Sequence, residues 1–262
     1  MTKTKVFFFF FYWLNRIDYC MKDVNNVILL TACVNSKGMA YTVLQDKDMR
    51  LKQYKDALLW YLEHTKEAVV LVENTMCDFS KDFESYIESG RLEFLIFEGN
   101  NYDRTLGKGF GEGLIIKYAM EHSKLLAKAE MITKITGRLK ITNVENLVKV
   151  SNSVNTVYGN VSVINKRFLC DSRFFIAPRD FVCDYFLSGM NDLNDSMCYY
   201  FEHMFYDKIV EWKKKGNRHK EFYLPVDVVG ISGTSGNVYT LKKSRYISSI
   251  IKYVAHLFGI YW

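Results

Sequence analysis

The chain has 262 residues, 49% hydrophobic and 24% charged, with a formal net charge of +6. That length allows one large domain, or a domain with short extensions, and the composition is that of an ordinary globular protein. Two Pro in the whole chain exclude Pro-rich linkers. The positive balance suits anionic partners, but no zinc-finger spacing, RNP-type motif or long basic stripe points to nucleic acid.

The N-terminal stretch Val6 to Leu14 reads VFFFFFYWL behind Lys3 and Lys5. It looks like a signal-peptide core without a small-residue cleavage site, and nine apolar residues are too few to span a bilayer as a helix. Three readings stay open: an interfacial anchor, a strand packed on the domain, or a translated upstream segment with the start at Met21. The last is favoured, because Met21-Lys22-Asp23 leads directly into a first core strand. Residues 1–20 are therefore set apart as a hydrophobic extension of residues 21–240.

The run Val27 to Val34 is continuously apolar, the mark of a strand buried on both faces. A helix is expected over Gln53 to Lys66. A second buried strand, Ala68 to Val72, ends in Glu73 and Asn74. Phe79 to Ser89 reads as a helix and Leu92 to Phe97 as a third strand. Gly107 to Gly113 reads as a Gly-rich loop, Leu114 to Lys128 as a helix and Met131 to Ile135 as a fourth strand. This alternation predicts an α/β fold with a mostly parallel, doubly wound sheet. Its ligands would bind beyond the carboxyl ends of the strands, where Thr31, Asn35, Glu73, Asn74, Glu98 to Asn101 and Thr136 to Arg138 fall. The later part is more mixed: strands at Asn160 to Asn165 and Ser172 to Ala177, then a long helix over Asp195 to Lys214.

Several motifs fail. Gly107-Lys108-Gly109-Phe110-Gly111-Glu112-Gly113 is not G-x-G-x-x-G in either register, is not a Walker A, and precedes the fourth strand instead of following the first. No G-x-S-x-G elbow occurs. The six Cys (20, 33, 77, 170, 183 and 198) form no C-x-x-C pair. They read as reduced thiols, not as a disulfide framework or a zinc site. One pattern fits anion binding: Lys134-Ile135-Thr136-Gly137-Arg138, a cationic turn at a strand end. Arg offers a fixed charge and a fork of donors, and Gly lets backbone come close.

The ordered set I28-L-L-T-A, V70-L-V-E-N-T, G107-K-G-F-G-E-G and K134-I-T-G-R-L-K-I-T-N resembles the nucleotide-sugar half of a GT-A-type glycosyltransferase. The family is that of bacterial capsule and lipopolysaccharide, or surface polysaccharide, biosynthesis. The resemblance covers about residues 27–143 well and Phe174 to Lys208 more loosely, with an acceptor half over about 150–240. It implies a GT-A-like (Rossmann-like) fold whose donor site uses Thr31, Glu73, Asn74, Lys108, Lys134, Thr136, Gly137 and Arg138. It implies a catalytic base at Glu202 first and Asp195 second, since a carboxylate is readily ionised at working pH. His203, beside Glu202, carries no mark of catalysis.

One departure matters. Many such enzymes hold a divalent metal on an Asp-x-Asp at the fourth strand's end, where this chain has Thr136-Gly137-Arg138. Its one D-x-D, Asp46-Lys47-Asp48, stands near the first strand. No metal ligand is therefore assigned; manganese or magnesium stays open as a cofactor, and the lean is to metal-independent chemistry. Arg138, with Lys134 or Lys108, would stabilise the leaving nucleoside diphosphate.

The hydroxyl-rich segment Val229 to Asn237 reads as a surface turn or a lid. Residues 241–262 read as a basic amphipathic helix, expected to place the enzyme on the cytoplasmic membrane face beside a lipid-linked glycan acceptor. The alternatives are a nucleotidyltransferase acting on sugar phosphates, or a non-catalytic membrane-associated scaffold of the same fold.

Overall fold

The computed structural model describes residues 24–36, 38–39 and 42–239. The expected hydrophobic extension at 1–20 and the amphipathic helix at 241–262 lie outside the described residues.

In chain order the strands are β1 (Asn26–Ala32), β2 (Ala68–Glu73), β3 (Leu92–Ile96), β4 (Met131–Thr136), β5 (Lys140–Ile141), β6 (Thr156–Tyr158), β7 (Val161–Ile164), β8 (Arg167–Cys170), β9 (Phe174–Pro178), β10 (Arg218–Lys220), β11 (Val228–Ile231) and β12 (Val238–Tyr239). The helices are α1 (Lys47–His64), α2 (Glu84–Glu88), α3 (Gly107–His122), α4 (Lys124–Ala127), α5 (Val144–Val150) and α6 (Phe201–Lys214).

Seven strands form one sheet in the order β10-β6-β9-β4-β1-β2-β3. Neighbours β4, β1, β2 and β3 run parallel, and β9 runs antiparallel to both β4 and β6. The mostly parallel sheet flanked by helices is the α/β architecture expected from the strand–helix alternation. Strand β1 is buried along its whole length because its alternate side chains feed two cores. Val27 and Leu29 pack with α3 and α6, through Ile115, Ile116, Met204 and Phe205. Ile28 and Leu30 pack with α1 and α5, through Tyr54, Leu58, Leu147 and Val148. Both faces are covered, so a strand here needs apolar residues on both sides.

The chain leaves β1 for β2 and β3 on one side and returns to β4 on the other. The reversal opens a crevice at the carboxyl ends of β1 and β4, the place where such sheets hold ligands. The turn after β4 is pinned from the α1 side. Tyr61 Oη donates to the Leu139 carbonyl at 2.9 Å and accepts from the Ile141 N–H at 2.8 Å, in full burial. Tyr61→Phe should leave both backbone groups unpaired and destabilise the fold by about 1–3 kcal/mol in urea unfolding. Stability equal to wild type would mean the turn is held elsewhere.

Several expected elements differ. Helix α3 begins at Gly107, so Gly107 to Gly113 is not a loop but the first two turns of a helix. The glycines are there for closeness: a Cβ on Gly109 would lie 2.8 Å from Phe201 Cβ, and one on Gly113 2.9 Å from Met190 Cε. The helix expected as far as Lys128 breaks at Ser123, whose hydroxyl caps α4 by accepting from the Leu126 N–H. The long helix expected from Asp195 starts only at Phe201, because Cys198 takes a left-handed φ of 55° after a 3-10 turn. Phe79 to Ser89 divides into a 3-10 turn and α2.

Candidate functional site

A cleft of about 480 Å³ opens at the sheet's switch point. Its walls come from the carboxyl ends of β1, β2 and β4, the first turns of α3, the start of α6 and the β11–β12 loop. Of the residues singled out in the sequence, Thr31, Asn74, Lys108, Thr136, Arg138, Asp195 and Glu202 line it; Glu73, Lys134 and Gly137 do not.

Those last three build the cleft from behind. Glu73 is fully buried and accepts from the N–H groups of Val34, Thr75 and Cys77 at 2.8–2.9 Å. It ties the loops after β1 and β2 together, a task that uses both carboxylate oxygens and leaves no contact with the cleft. Gly137 is required by its neighbour strand: its N–H donates to the Thr31 carbonyl at 2.9 Å, and a Cβ there would come within 2.8 Å of the same oxygen. The close approach is to β1, not to a ligand. Lys134, in the middle of β4, is fully buried; its ammonium donates to Glu112 Oε1 and to the Ser172 carbonyl, each at 2.5 Å.

Glu112 is the residue the sequence reading missed. It stands on α3, lines the cleft, and receives Thr31 Oγ1 at 2.9 Å and Thr136 Oγ1 at 3.4 Å on the same Oε1 that takes Lys134. Burial disfavours its charge, but the Lys134 ammonium and the Thr31 and Thr136 hydroxyls outweigh burial and hold its carboxyl below the ordinary value. The detectable signal was Lys134 itself: a Lys inside an apolar strand needs a buried carboxylate partner.

Four cations, Arg50, Lys108, Arg138 and Arg173, line the cleft. Arg138 is half-buried beside Arg50 and donates to the Ile231 carbonyl. Burial pulls its pKa down, with Tyr54 opposing and Arg50 adding to the fall. Arg50 is itself bound to the Cys33 and Leu44 carbonyls. Arg173 is held by a two-pronged pair with Asp171, at 2.9 and 2.5 Å, and lies over the Tyr239 ring at 5.0 Å. Lys108 Nζ reaches Thr234 Oγ1 across the cleft mouth at 2.5 Å, so the Ser232 to Asn237 turn touches α3. Gly233 lies flat on the Arg138 guanidinium, where a Cβ would come 2.6 Å from Nη2.

Near the β1 and β2 ends two buried atoms have no partner among the described residues: Ser36 Oγ and Asn74 Oδ1. Both residues line the cleft. A buried polar atom without a partner is costly unless a ligand supplies one.

The two candidate bases differ. Glu202 faces the cleft with Oε1 held by Ser172 Oγ at 2.6 Å. Asp195 lies beside the Lys108 backbone N–H and against Gly107, where a Cβ would meet its carboxyl carbon at 1.9 Å. It thus occupies the positive end of α3, so that helix end is not free for phosphate. Burial raises its pKa, Lys108 opposes this, and Glu202 adds to it. His203 bonds back to the Tyr200 N–H at 3.2 Å and does not line the cleft.

Among the described residues no group of three or more His, Cys, Asp or Glu side chains is placed to hold a metal. Of the cleft carboxylates, Glu112 is neutralised by Lys134 and Asp195 is spent on α3, a poor fit for a divalent cation. Asp46, first residue of the D-x-D, is the N-cap of α1 and accepts from the Met49 N–H at 2.7 Å.

No family model matches the sequence, and no curated protein matches it. Solved structures do. A protein described provisionally as a nucleotide-diphospho-sugar transferase, from Desulfovibrio desulfuricans, shares 10% identity at TM-score 0.43, over 76% of this chain and 79% of that one. The 4-diphosphocytidyl-2C-methyl-D-erythritol synthase of Anaerococcus prevotii shares 9% at 0.42, over 87% and 95%. A CMP:2-keto-3-deoxy-manno-octonic acid synthetase complexed with CTP shares 12% at 0.39, over 89% and 99%. Likeness at this level says nothing of this chain's substrate.

Proposed function

We propose that the chain is a nucleotide-sugar-dependent glycosyltransferase, and that the cleft takes the donor. The observation that carries this reading is the division of labour along the cleft. Unpartnered Ser36 Oγ and Asn74 Oδ1 offer hydrogen bonds to a nucleobase at one end. Arg138, Lys108 and Arg173 offer charge to a diphosphate. Glu202 offers an ionisable carboxylate in the same cleft to deprotonate an acceptor hydroxyl. In the reaction the acceptor oxygen attacks the anomeric carbon, the bond to the diphosphate breaks, and Arg138 takes up the developing charge. The acceptor would be a glycan, lipid-linked and met at the membrane surface, in surface polysaccharide synthesis. Among the described residues no helix is long and apolar enough to cross a membrane.

A second reading is favoured by the number of cations. Arg50, Lys108, Arg138 and Arg173 line one cleft, enough for a triphosphate, which suits a nucleotidyltransferase acting on a sugar phosphate. The products separate the two. Release of a nucleoside diphosphate from a nucleotide sugar in the presence of an acceptor glycan supports the first. Release of pyrophosphate from a nucleoside triphosphate and a sugar phosphate supports the second. Neither product, from a chain that still binds nucleotide, supports a scaffold.

A further inference from the structure

The carboxylate of Glu112 has an unusual division between its two oxygens. Oε1 takes all three donors: Thr31, Lys134 and Thr136. Oε2 has no hydrogen bond among the described residues, and it is not one of the buried unpartnered atoms. With the side chain 22% exposed and lining the cleft, Oε2 is the oxygen open to a ligand. Lys134 approaches from the protein side, where it is 1% exposed, so the carboxylate cannot turn away.

We propose that Glu112 is the group that recognises the sugar of the bound nucleotide sugar, its Oε2 accepting a ring hydroxyl. The inference rests on the nucleotide-sugar reading above. A carboxylate oxygen only accepts hydrogen bonds, so what lies against it must donate a proton or carry positive charge. Lys134 already neutralises it, which removes most of its pull on a metal cation. A neutral hydroxyl is what remains. Position agrees: Arg138 feels the charge of Glu112 on one side. On the other side a chain of contacts runs from Glu112 through Lys134 and Ser172 to Glu202. The sugar of a nucleotide sugar must lie between its diphosphate and the acceptor base, and Glu112 acts on Arg138 and is joined to Glu202 by this chain of contacts. The ribose also carries hydroxyls, but it sits on the nucleobase side of the diphosphate.

The test uses Glu112→Gln. With its oxygen held by Lys134, the Gln amide must turn its NH₂ to the cleft and present a donor where an acceptor stood. Calorimetric affinities for UDP and UDP-glucose, GDP and GDP-mannose, dTDP and dTDP-glucose are compared with wild type. Losing a hydrogen bond to a charged group should weaken the preferred nucleotide sugar roughly tenfold to a hundredfold and leave its bare diphosphate unchanged. If the single variant folds poorly, Glu112→Leu/Lys134→Met, which removes the acceptor and leaves no unpaired charge, should show the same selectivity. Equal losses for the sugar and the bare diphosphate would overturn the inference while leaving the nucleotide site standing, and would point to the ribose. No binding of any of these nucleotides by the wild-type chain would remove both the inference and the reading beneath it.

Discussion

Arg138→Ala should lower kcat/KM about 10²–10³-fold while the chain stays folded, the loss seen when one preorganised charge-stabilising donor is removed. The guanidinium is fixed before any ligand arrives: Ile231 accepts from Nη1, Gly233 covers its face, and Tyr61 holds the turn from below. Such preorganisation means that little rearrangement is left for the moment of reaction. Folding should survive because Arg138 is at the cleft wall and its lost partner is one carbonyl at the end of β11. Arg138→Lys should recover little, since an ammonium cannot make the paired contacts of the planar fork. The check is turnover with the preferred nucleotide sugar beside a thermal melt. Turnover close to wild type in a folded Arg138→Ala protein would place the leaving group elsewhere.

Lys134→Ala should destabilise the fold by about 3–5 kcal/mol, the cost of leaving one member of a buried ion pair uncompensated. The Ser172 carbonyl also loses its donor. The double variant Glu112→Gln/Lys134→Met should be much closer to wild type, because no charge is then stranded. Urea unfolding of Glu112→Gln, Lys134→Met and the double variant gives the coupling directly. The pair has a pH signature as well. The Glu112 carboxyl is depressed in the folded protein, so its contribution is present above the unfolded value of about 4.3. It is lost as pH falls through the folded value. Wild type should therefore weaken more steeply than the double variant in acid below that point. Parallel pH profiles would show that the pair adds nothing to stability.

Much of the architecture was legible in the chain. Apart from Thr31, Val27 to Val34 and Ala68 to Val72 are apolar because both sheet faces are covered, and their ends mark the cleft. The turn at Thr136-Gly137-Arg138 could be read as a cationic strand end, and Arg138 does line the cleft. Other features hid for physical reasons. Gly is a poor helix former by about 1 kcal/mol, so four glycines in seven residues read as a loop. Tight packing against Phe201 and Met190 is what makes α3 helical there. Glu73 and Lys134 are polar at strand positions that point inward, and sequence order cannot distinguish an inward-facing network from a ligand contact. Arg50 and Arg173 come from α1 and from the segment before β9, each brought to the cleft only by the fold. Arg50 sat among Lys and Asp residues that look like an ordinary solvated helix start.

The central claim is that the cleft binds a nucleotide sugar through its own cations. Thermal shift against a panel of nucleoside diphosphates and nucleotide sugars, each with manganese and with EDTA, tests it most directly, since a ligand of the native state raises Tm by mass action. The account predicts a rise with one nucleotide family that persists in EDTA and disappears in Arg138→Ala. A rise that requires manganese, or none with any member of the panel, would contradict it.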